Sequence, residues 1–339
     1  MDLEKLIKTA NALVAPGKGI LAADESGGTI KRRFDSINVE STEDNRRNYR
    51  ELLMNAKDAS NYISGIILFD ETIRQNGSDG TPLVKVLLNQ GILPGIKVDK
   101  GTQPLSSALN ELVTEGLDGL RDRLNEYAEI GAVFTKWRGV IAIGDDMPSN
   151  YCIETNAHAL ARFAALSQEA GLVPIIEPEV LIDGNHSINR CLEVSKATLE
   201  EVYAQLYRQK VALEGTLLKP SMILSGSTAE NRADAEEVAK KTIECFSKSV
   251  PSAVPGIVFL SGGQSDQEAT ANLNAINKRA AEINSPWQLS FSFGRGLQAS
   301  PLKTWGGKSN NVKAAQDAFI HRAKLTSAAR QGIYSPDME

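Results

Sequence analysis

A closed parallel barrel of alternating strands and helices, (β/α)8, is the α/β fold that the sequence predicts. Two observations carry this prediction. Eight short apolar runs of strand character alternate with helical patterns from one end of the 339-residue chain to the other. No linker, low-complexity segment or short internal repeat interrupts the alternation, so residues 1–339 read as one domain. A doubly wound open sheet is the structural rival, but it would not need eight strands in one continuous series. Such barrels usually take about 250 residues, and the excess here is expected in extra terminal helices and long loops.

The chain opens on Leu3, Leu6, Ile7, Ala10, Leu13 and Val14, the spacing of an amphipathic N-terminal helix. Early acidic residues and the lack of an apolar core argue against reading this stretch as a signal peptide. The strand candidates follow in order: GILAADES from Gly19, GIILFD from Gly65, GIKVDKG from Gly95 and AVFTKWRGV from Ala132. They continue as VPIIEPEV from Val173, GTLLKPSMIL from Gly215, GIVFLSGG from Gly256 and LSFSFGRGL from Leu289. A helix starting near Ser41 carries acids in its first turn, as the helix dipole favours. GLDGLRDRLNEYAEIG, NAHALARFAALSQEAG and SDQEATANLNAINKRAAE give further helices, and NVKAAQDAFIHRAKLTSAARQG a C-terminal one.

Composition narrows the class. The chain is 42% hydrophobic and 23% charged, with a mean hydropathy of −0.23, as in ordinary globular proteins. A net charge of −5 argues against nucleic acid or an anionic membrane as partner. No run approaches transmembrane length. Cys152, Cys191 and Cys245 lie far apart with no disulfide framework, which fits the cytoplasm. His158, His186 and His321 show no metal-binding spacing, so no metal is expected. Neither a P-loop nor a G-x-G-x-x-G occurs in a strand–helix setting, so no organic cofactor is expected.

The informative feature is where charges interrupt the strands. Lys219 sits inside the apolar run EGTLLKPSMIL, where either the side chain reaches the surface or its burial serves chemistry. Lys97 and Asp99, Lys136 and Arg138, and Glu177 and Glu179 are each spaced i, i+2, so each pair shares a strand face. All three pairs lie at the C-terminal ends of their runs, as do Asp24 and Lys219. In a barrel those ends form the mouth where sites are built. Any one pair, taken alone, reads better as a solvated strand end. Repetition over five strands favours one shared cavity of lysines, an arginine and carboxylates.

Anion handles accompany these charges. FLSGGQS supplies Ser261, Gly262 and Gly263 before a helix, and SFGRG adds Gly294 and Arg295 after the last strand. The loops after strands seven and eight are a common phosphate site in such barrels. Near the N-terminus, DESGGTIKRRF offers Ser26, Thr29, Lys31, Arg32 and Arg33, either an exposed helix start or a second phosphate site. Buried lysines beside acids suit Schiff-base chemistry, in which the protonated imine serves as an electron sink. With two phosphate handles, this suggests carbon–carbon cleavage in a sugar bisphosphate. Spacing alone does not rank Lys219 above Lys97 or Lys136.

The motifs GKGILAADES, ENRRNYRELL, GIKVDKG, TKWRGV, IIEPEVLIDG, EGTLLKPSM, FLSGGQS, GRGLQASPLKTWGG and QGIY occur in order along nearly the whole chain. In these it resembles the class I, Schiff-base fructose-bisphosphate aldolases. The resemblance implies a single TIM barrel, a homotetramer and metal-free cleavage of fructose 1,6-bisphosphate. It implies Lys219 as the Schiff-base lysine, Glu177 as general acid/base with Glu179 beside it, and Asp24 on the C4 hydroxyl. Lys136 becomes the neighbouring cation and Arg138 a substrate contact. The 1-phosphate falls to Ser261, Gly262, Gly263, Ser292, Gly294 and Arg295, the 6-phosphate to Ser26, Thr29, Arg33 and Lys97. Arg32 and Phe293 stand where the family commonly has lysine and tyrosine, keeping charge and ring. Animal members continue beyond the position of Glu339 into a mobile tail ending in tyrosine, so another group or water is expected to serve the enamine proton transfer. Competing readings are preference for fructose 1-phosphate or sedoheptulose 1,7-bisphosphate, or a barrel used mainly as a binding scaffold.

Overall fold

Parallel pairing of eight strands closes the sheet on itself in the computed structural model, which describes all of residues 1–339. In chain order the elements are α1 (Leu3–Leu13), β1 (Gly19–Ala23), α2 (Gly27–Asp35), α3 (Glu43–Met54), β2 (Ile63–Leu68), α4 (Asp70–Arg74), α5 (Leu83–Asn89) and β3 (Leu93–Lys97). An antiparallel hairpin of β4 (Thr102–Pro104) and β5 (Leu112–Thr114) follows, then α6 (Leu120–Ile130), β6 (Phe134–Ile141), α7 (Asn150–Glu169) and β7 (Val173–Val180). The chain continues through α8 (Ile188–Arg208), β8 (Leu217–Leu218), α9 (Ala235–Ser249), β9 (Gly256–Phe259), α10 (Asp266–Glu282), β10 (Gln288–Phe293), α11 (Arg295–Trp305) and α12 (Val312–Arg330). Around the ring the order is β1, β2, β3, β6, β7, β8, β9, β10 and back to β1. The hairpin is an excursion outside it.

Local sequence explains most boundaries. Thr42, Ser149, Ser187, Asp234 and Ser265 cap α3, α7, α8, α9 and α10 with side-chain oxygens, which satisfies otherwise orphaned N–H groups. The predicted strand GTLLKPSMIL keeps regular pairing only at Leu217–Leu218. Lys219 N still donates to Ile176 O at 2.8 Å, and then Pro220, with no N–H to give, ends the ladder. Elements not individually predicted are α4, α5, α8, α9, α11 and the hairpin. All three cysteines are free and buried. No helix is long and apolar enough to cross a membrane.

Strand alternation divides the core in two. Ile20, Ala22, Ile67, Phe134, Val173, Ile175, Leu217 and Val258 fill the barrel interior. Leu6, Ala10, Leu13 and Val14 of α1 and its end join that cluster and plug the lower opening. Phe134 fits only because Gly95 faces it, since a methyl group there would overlap the ring. Outward residues pack against the helices; Trp137 stacks on Phe163 of α7 at 5.7 Å.

A polar seam fastens the first connection to the last helix. Arg330 is buried without a carboxylate partner and donates to the carbonyls of Val14 (2.6 Å), Ala15 and Lys18. Ser327 Oγ donates to Gly17 O at 2.6 Å and Ser290 Oγ to Lys18 O at 2.8 Å. Arg330→Leu keeps bulk but removes three charge-assisted bonds to carbonyls, so we expect a loss of about 3 kcal/mol. Thermal melts check this, with a midpoint fall of about 4 °C expected and an unchanged midpoint counting against the seam.

Candidate active site

Inward-facing positions change character up each strand. On β6 the column runs from Phe134 to Lys136 and Arg138, and on β7 from Val173 and Ile175 to Glu177 and Glu179. β1 runs from Ile20 and Ala22 to Asp24, and β8 from Leu217 to Lys219. Period-two geometry therefore carries each strand's charges to one level above an apolar floor. There the four predicted reacting groups meet. Lys136 Nζ lies 2.7 Å from Asp24 Oδ2 and 3.1 Å from Glu177 Oε2, and Lys219 Nζ lies 3.2 Å from Glu177 Oε1. The Lys136–Glu177 contact is ionic and not an aligned hydrogen bond, for that oxygen has no hydrogen-bond partner. Lys136, Glu177 and Lys219 are each less than 5% exposed.

Charge compensation makes this burial tolerable. Burial pushes the Asp24 and Glu177 carboxyls up, but Lys136 and then Lys219 outweigh it and hold both below the usual carboxylate range. Burial likewise works against the Lys136 ammonium. Asp24, Glu177 and Asp99 overcome it and raise the pKa of Lys136 above that of a free lysine. Arg138 pairs with Glu179 through Nε, one level higher. Lys97 pairs across strands with Lys136, a like-charge neighbour, and is held by its own acid: Nζ lies 2.5 Å from Asp99 Oδ1 and 2.8 Å from Asp99 O.

Both sets of anion handles border this level. Ser26, Thr29, Lys97 and Arg138 line a cavity of about 650 Å³ at the mouth, which extends outward past Lys100 and Arg123. Asp24, Glu177 and Lys219 are not in its lining. Arg138, two residues beyond Lys136 on the same face, connects cavity and ion cluster. Opposite, a methyl group on Gly296 would lie 3.3 Å from Ser261 Cβ, so the turn after β9 abuts the start of α11. Gly263 has φ +77°, a conformation glycine adopts without strain. Gly294 precedes α11 with no side chain capping its N–H groups, which leaves that end open to an anion. The Ser292 hydroxyl is buried in the barrel without a protein partner.

Arg33 is placed differently from its companions. It pairs with buried Glu25 and lines a groove with Arg295, beside Gly294. Ser26 and Thr29, on the same helical segment, face the larger cavity. Two supporting residues, Glu25 and Gln264, escaped sequence reasoning, and a third, Asp99, entered it only as the same-face neighbour of Lys97. Asp99 holds Lys97 and accepts from Arg138 N at 3.3 Å; its i, i+2 position beside Lys97 was the available signal. Glu25 accepts from Gln298 Nε2 at 2.7 Å, and Gln264 ties the glycine turn down, through partners distant in sequence.

Comparison with known proteins agrees with this arrangement. A family model described as fructose-bisphosphate aldolase class-I matches residues 5–339. A probable fructose-bisphosphate aldolase class 1 of Xanthomonas campestris pv. campestris is 55% identical over 333 residues, covering 98% of this chain and 99% of its own. The cytosolic fructose-bisphosphate aldolase 6 of Arabidopsis thaliana is 54% identical over 98% of this chain and 92% of its own. The fructose-bisphosphate aldolase of Plasmodium falciparum, solved in a ternary complex with TRAP and a small-molecule inhibitor, superposes with a TM-score of 0.96. It is 47% identical, covering 98% of this chain and 95% of its own.

Removing the central cation tests the electrostatics. Lys136→Met takes from two buried carboxylates the cation that does most to compensate them, and leaves Lys219, with Lys97 acting on Asp24 and Arg138 on Glu177 more weakly. Both carboxyl pKa values then exceed those of the unfolded chain, a penalty that is full at neutral pH and vanishes below ~4. In the native protein the lowered values of Asp24 and Glu177 act oppositely: their stabilisation is present above the unfolded value and lost as pH falls through the folded one. Melts from pH 8 to pH 4 should show a deficit of about 3–5 kcal/mol at pH 7 that shrinks toward pH 4. A pH-independent deficit would count against the cluster.

Proposed function

The chain belongs to the class I fructose-bisphosphate aldolases and catalyses the reversible, metal-independent cleavage of fructose 1,6-bisphosphate to dihydroxyacetone phosphate and glyceraldehyde 3-phosphate, and we propose that Lys219 is its nucleophile. The observation that carries this reading is how the lysines are held. Lys136 and Lys97 each have two oxygen contacts within 3.1 Å, whereas Lys219 has a single carboxylate oxygen at 3.2 Å. Lys219 is the least tethered amine and has a proton acceptor beside it.

The reaction follows from these positions. The Lys219 amine attacks the C2 carbonyl of the open-chain sugar to give a carbinolamine. Glu177 takes one proton from the Lys219 ammonium to free the amine, a second proton passes from nitrogen to the former carbonyl oxygen, and Glu177 returns its proton to that hydroxyl, which leaves as water and creates the iminium. Asp24 accepts the C4 hydroxyl proton as the C3–C4 bond breaks. The electron pair of that bond moves into the iminium to form an enamine, and glyceraldehyde 3-phosphate departs. Protonation at C3 and hydrolysis release dihydroxyacetone phosphate and regenerate the amine. A carboxylate held as low as Asp24 is a weak base. It nonetheless suffices here, because the hydroxyl proton becomes acidic as the carbonyl forms.

Lys136 stays charged throughout and keeps Asp24 and Glu177 in place, while Arg138 and Glu179 shape the wall above. Ser261, Gly262, Gly263, Ser292, Gly294 and Arg295 hold the 1-phosphate; Ser26, Thr29 and Lys97 hold the 6-phosphate. Arg33, expected from the resemblance at the 6-phosphate, lies beside Gly294 and Arg295 and so falls on the 1-phosphate side. On family grounds the protein assembles as a homotetramer and acts in the cytoplasm. Light scattering checks the assembly, with a mass near four times that of the 36.6 kDa chain expected.

Borohydride trapping tests the nucleophile. With dihydroxyacetone phosphate and a chelator, the reduced adduct should map to Lys219 and be absent in Lys219→Met. Glu177→Gln should slow adduct formation by about 10²–10⁴-fold. An adduct on Lys136 or Lys97 would overturn the assignment.

A further inference from the structure

The turn after β9 contains a buried carboxamide that no chemical step uses. Gln264 is 6% exposed and Asn272, on α10, 4%. Asn272 Nδ2 donates to Gln264 Oε1 at 2.7 Å. Gln264 Nε2 donates to Ser261 O at 3.3 Å and faces Met222 Sδ at 3.7 Å. The Gln264 backbone N–H reaches the same Ser261 carbonyl at 3.0 Å. Met222 lies three residues beyond Lys219, and Leu260 N donates to Pro220 O at 3.2 Å, so the turn is joined to the lysine segment as well.

Burying two primary amides costs desolvation that a pair of leucines would avoid, and their hydrogen bonds roughly offset it. What the pair adds is direction. A peptide unit is planar and trans, so the Ser261 C=O and the Gly262 N–H point opposite ways in one rigid plane. Pinning the carbonyl twice therefore fixes where the Gly262 N–H points. Two successive glycines would otherwise leave that direction loose.

We propose that Gln264, held by Asn272, is a positioning residue that aims the Gly262 N–H at the substrate's 1-phosphate and so sets the preference for phosphorylated over unphosphorylated ketones. The proposal rests on the reading of Ser261–Gly263 as the 1-phosphate anchor. The Ile182 side chain, against which any methyl on Gly263 would press, supports the turn from its other side.

Half-saturating concentrations for borohydride trapping, measured on the full chain with dihydroxyacetone phosphate and with dihydroxyacetone, provide the test. Gln264→Met keeps length and bulk but loses both directed bonds. It should raise the value for dihydroxyacetone phosphate about tenfold, the loss of roughly one hydrogen bond to a charged group, and leave dihydroxyacetone unchanged within about twofold. Asn272→Leu should act in the same direction, and the double variant should be no worse than either, since the two amides act as one unit. Gln264→Glu keeps the acceptor for Asn272 without the Nε2 donor and should fall between. Equal weakening toward both ketones would mean general damage to the fold and overturn the proposal. Arg295→Met and Ser261→Ala separate the remaining outcomes. If they cut the phosphate preference and Gln264→Met does not, positioning by Gln264 is wrong. If neither cuts it, the anchor reading itself fails and takes the proposal with it.

Discussion

Lys136 Nζ, 2.7 Å from Asp24 and 3.1 Å from Glu177, is the contact on which the burial of the two central carboxylates depends. β6, β7 and β8 are neighbours in the ring and present Lys136, Glu177 and Lys219 in the order plus, minus, plus. Asp24 comes from β1, three strands away from β6 and four from β7, so its bond to Lys136 spans the barrel interior. A buried carboxylate without a counter-ion costs several kcal/mol, more than a typical hydrogen bond returns. The cluster is thus a joint solution. Lys136 makes two anions affordable only while opposite walls of the barrel hold their register.

That register is set from below. Phe134 lies under Lys136, Ile175 under Glu177, Ala22 under Asp24 and Leu217 under Lys219, so every reacting side chain stands on an apolar one. This floor keeps water from reaching the charges from beneath, and charge interactions weaken where water intrudes. The plug by α1, and the carbonyls gathered by Arg330 at the end of α12, keep the floor shut at the far end. Stability at the bottom of the barrel and reactivity at its mouth are in this sense one design problem.

The sequence showed the features that have a short period. Strand alternation made the Lys97/Asp99, Lys136/Arg138 and Glu177/Glu179 pairs readable as same-face neighbours, and eight apolar runs made the barrel readable. Hidden were features fixed by distant partners. Nothing local in GTLLKPSMIL says that regular pairing ends at Leu218, although Pro220 hinted at it. Gln264 reads as an ordinary turn residue until Asn272 folds back onto it, and Glu25 as a surface acid until Arg33 and Gln298 enclose it. The proposed ranking of the three lysines was likewise invisible, because it rests on how many oxygens each ammonium meets and not on its neighbours in the chain.

A division of labour between strand and turn follows. The groups proposed to move protons and electrons sit on or just past strand ends, where the closed ladder limits backbone freedom. Those proposed to grip the 1-phosphate sit mainly on glycine-rich backbone, since N–H groups free of bulky side chains approach an anion closely. Such backbone loses more entropy on ordering than any other, and an anchor that wanders would let the ketone carbon drift from Lys219. The buried amides behind Ser261, Ile182 packed on Gly263 and Gly296 against Ser261 restrain the turn from three sides. Placing the reacting carbon to within a few tenths of an ångström of its attack position is worth orders of magnitude in rate, and under the proposed anchoring that precision rests on the rigidity of a turn whose own sequence, SGG, has almost none.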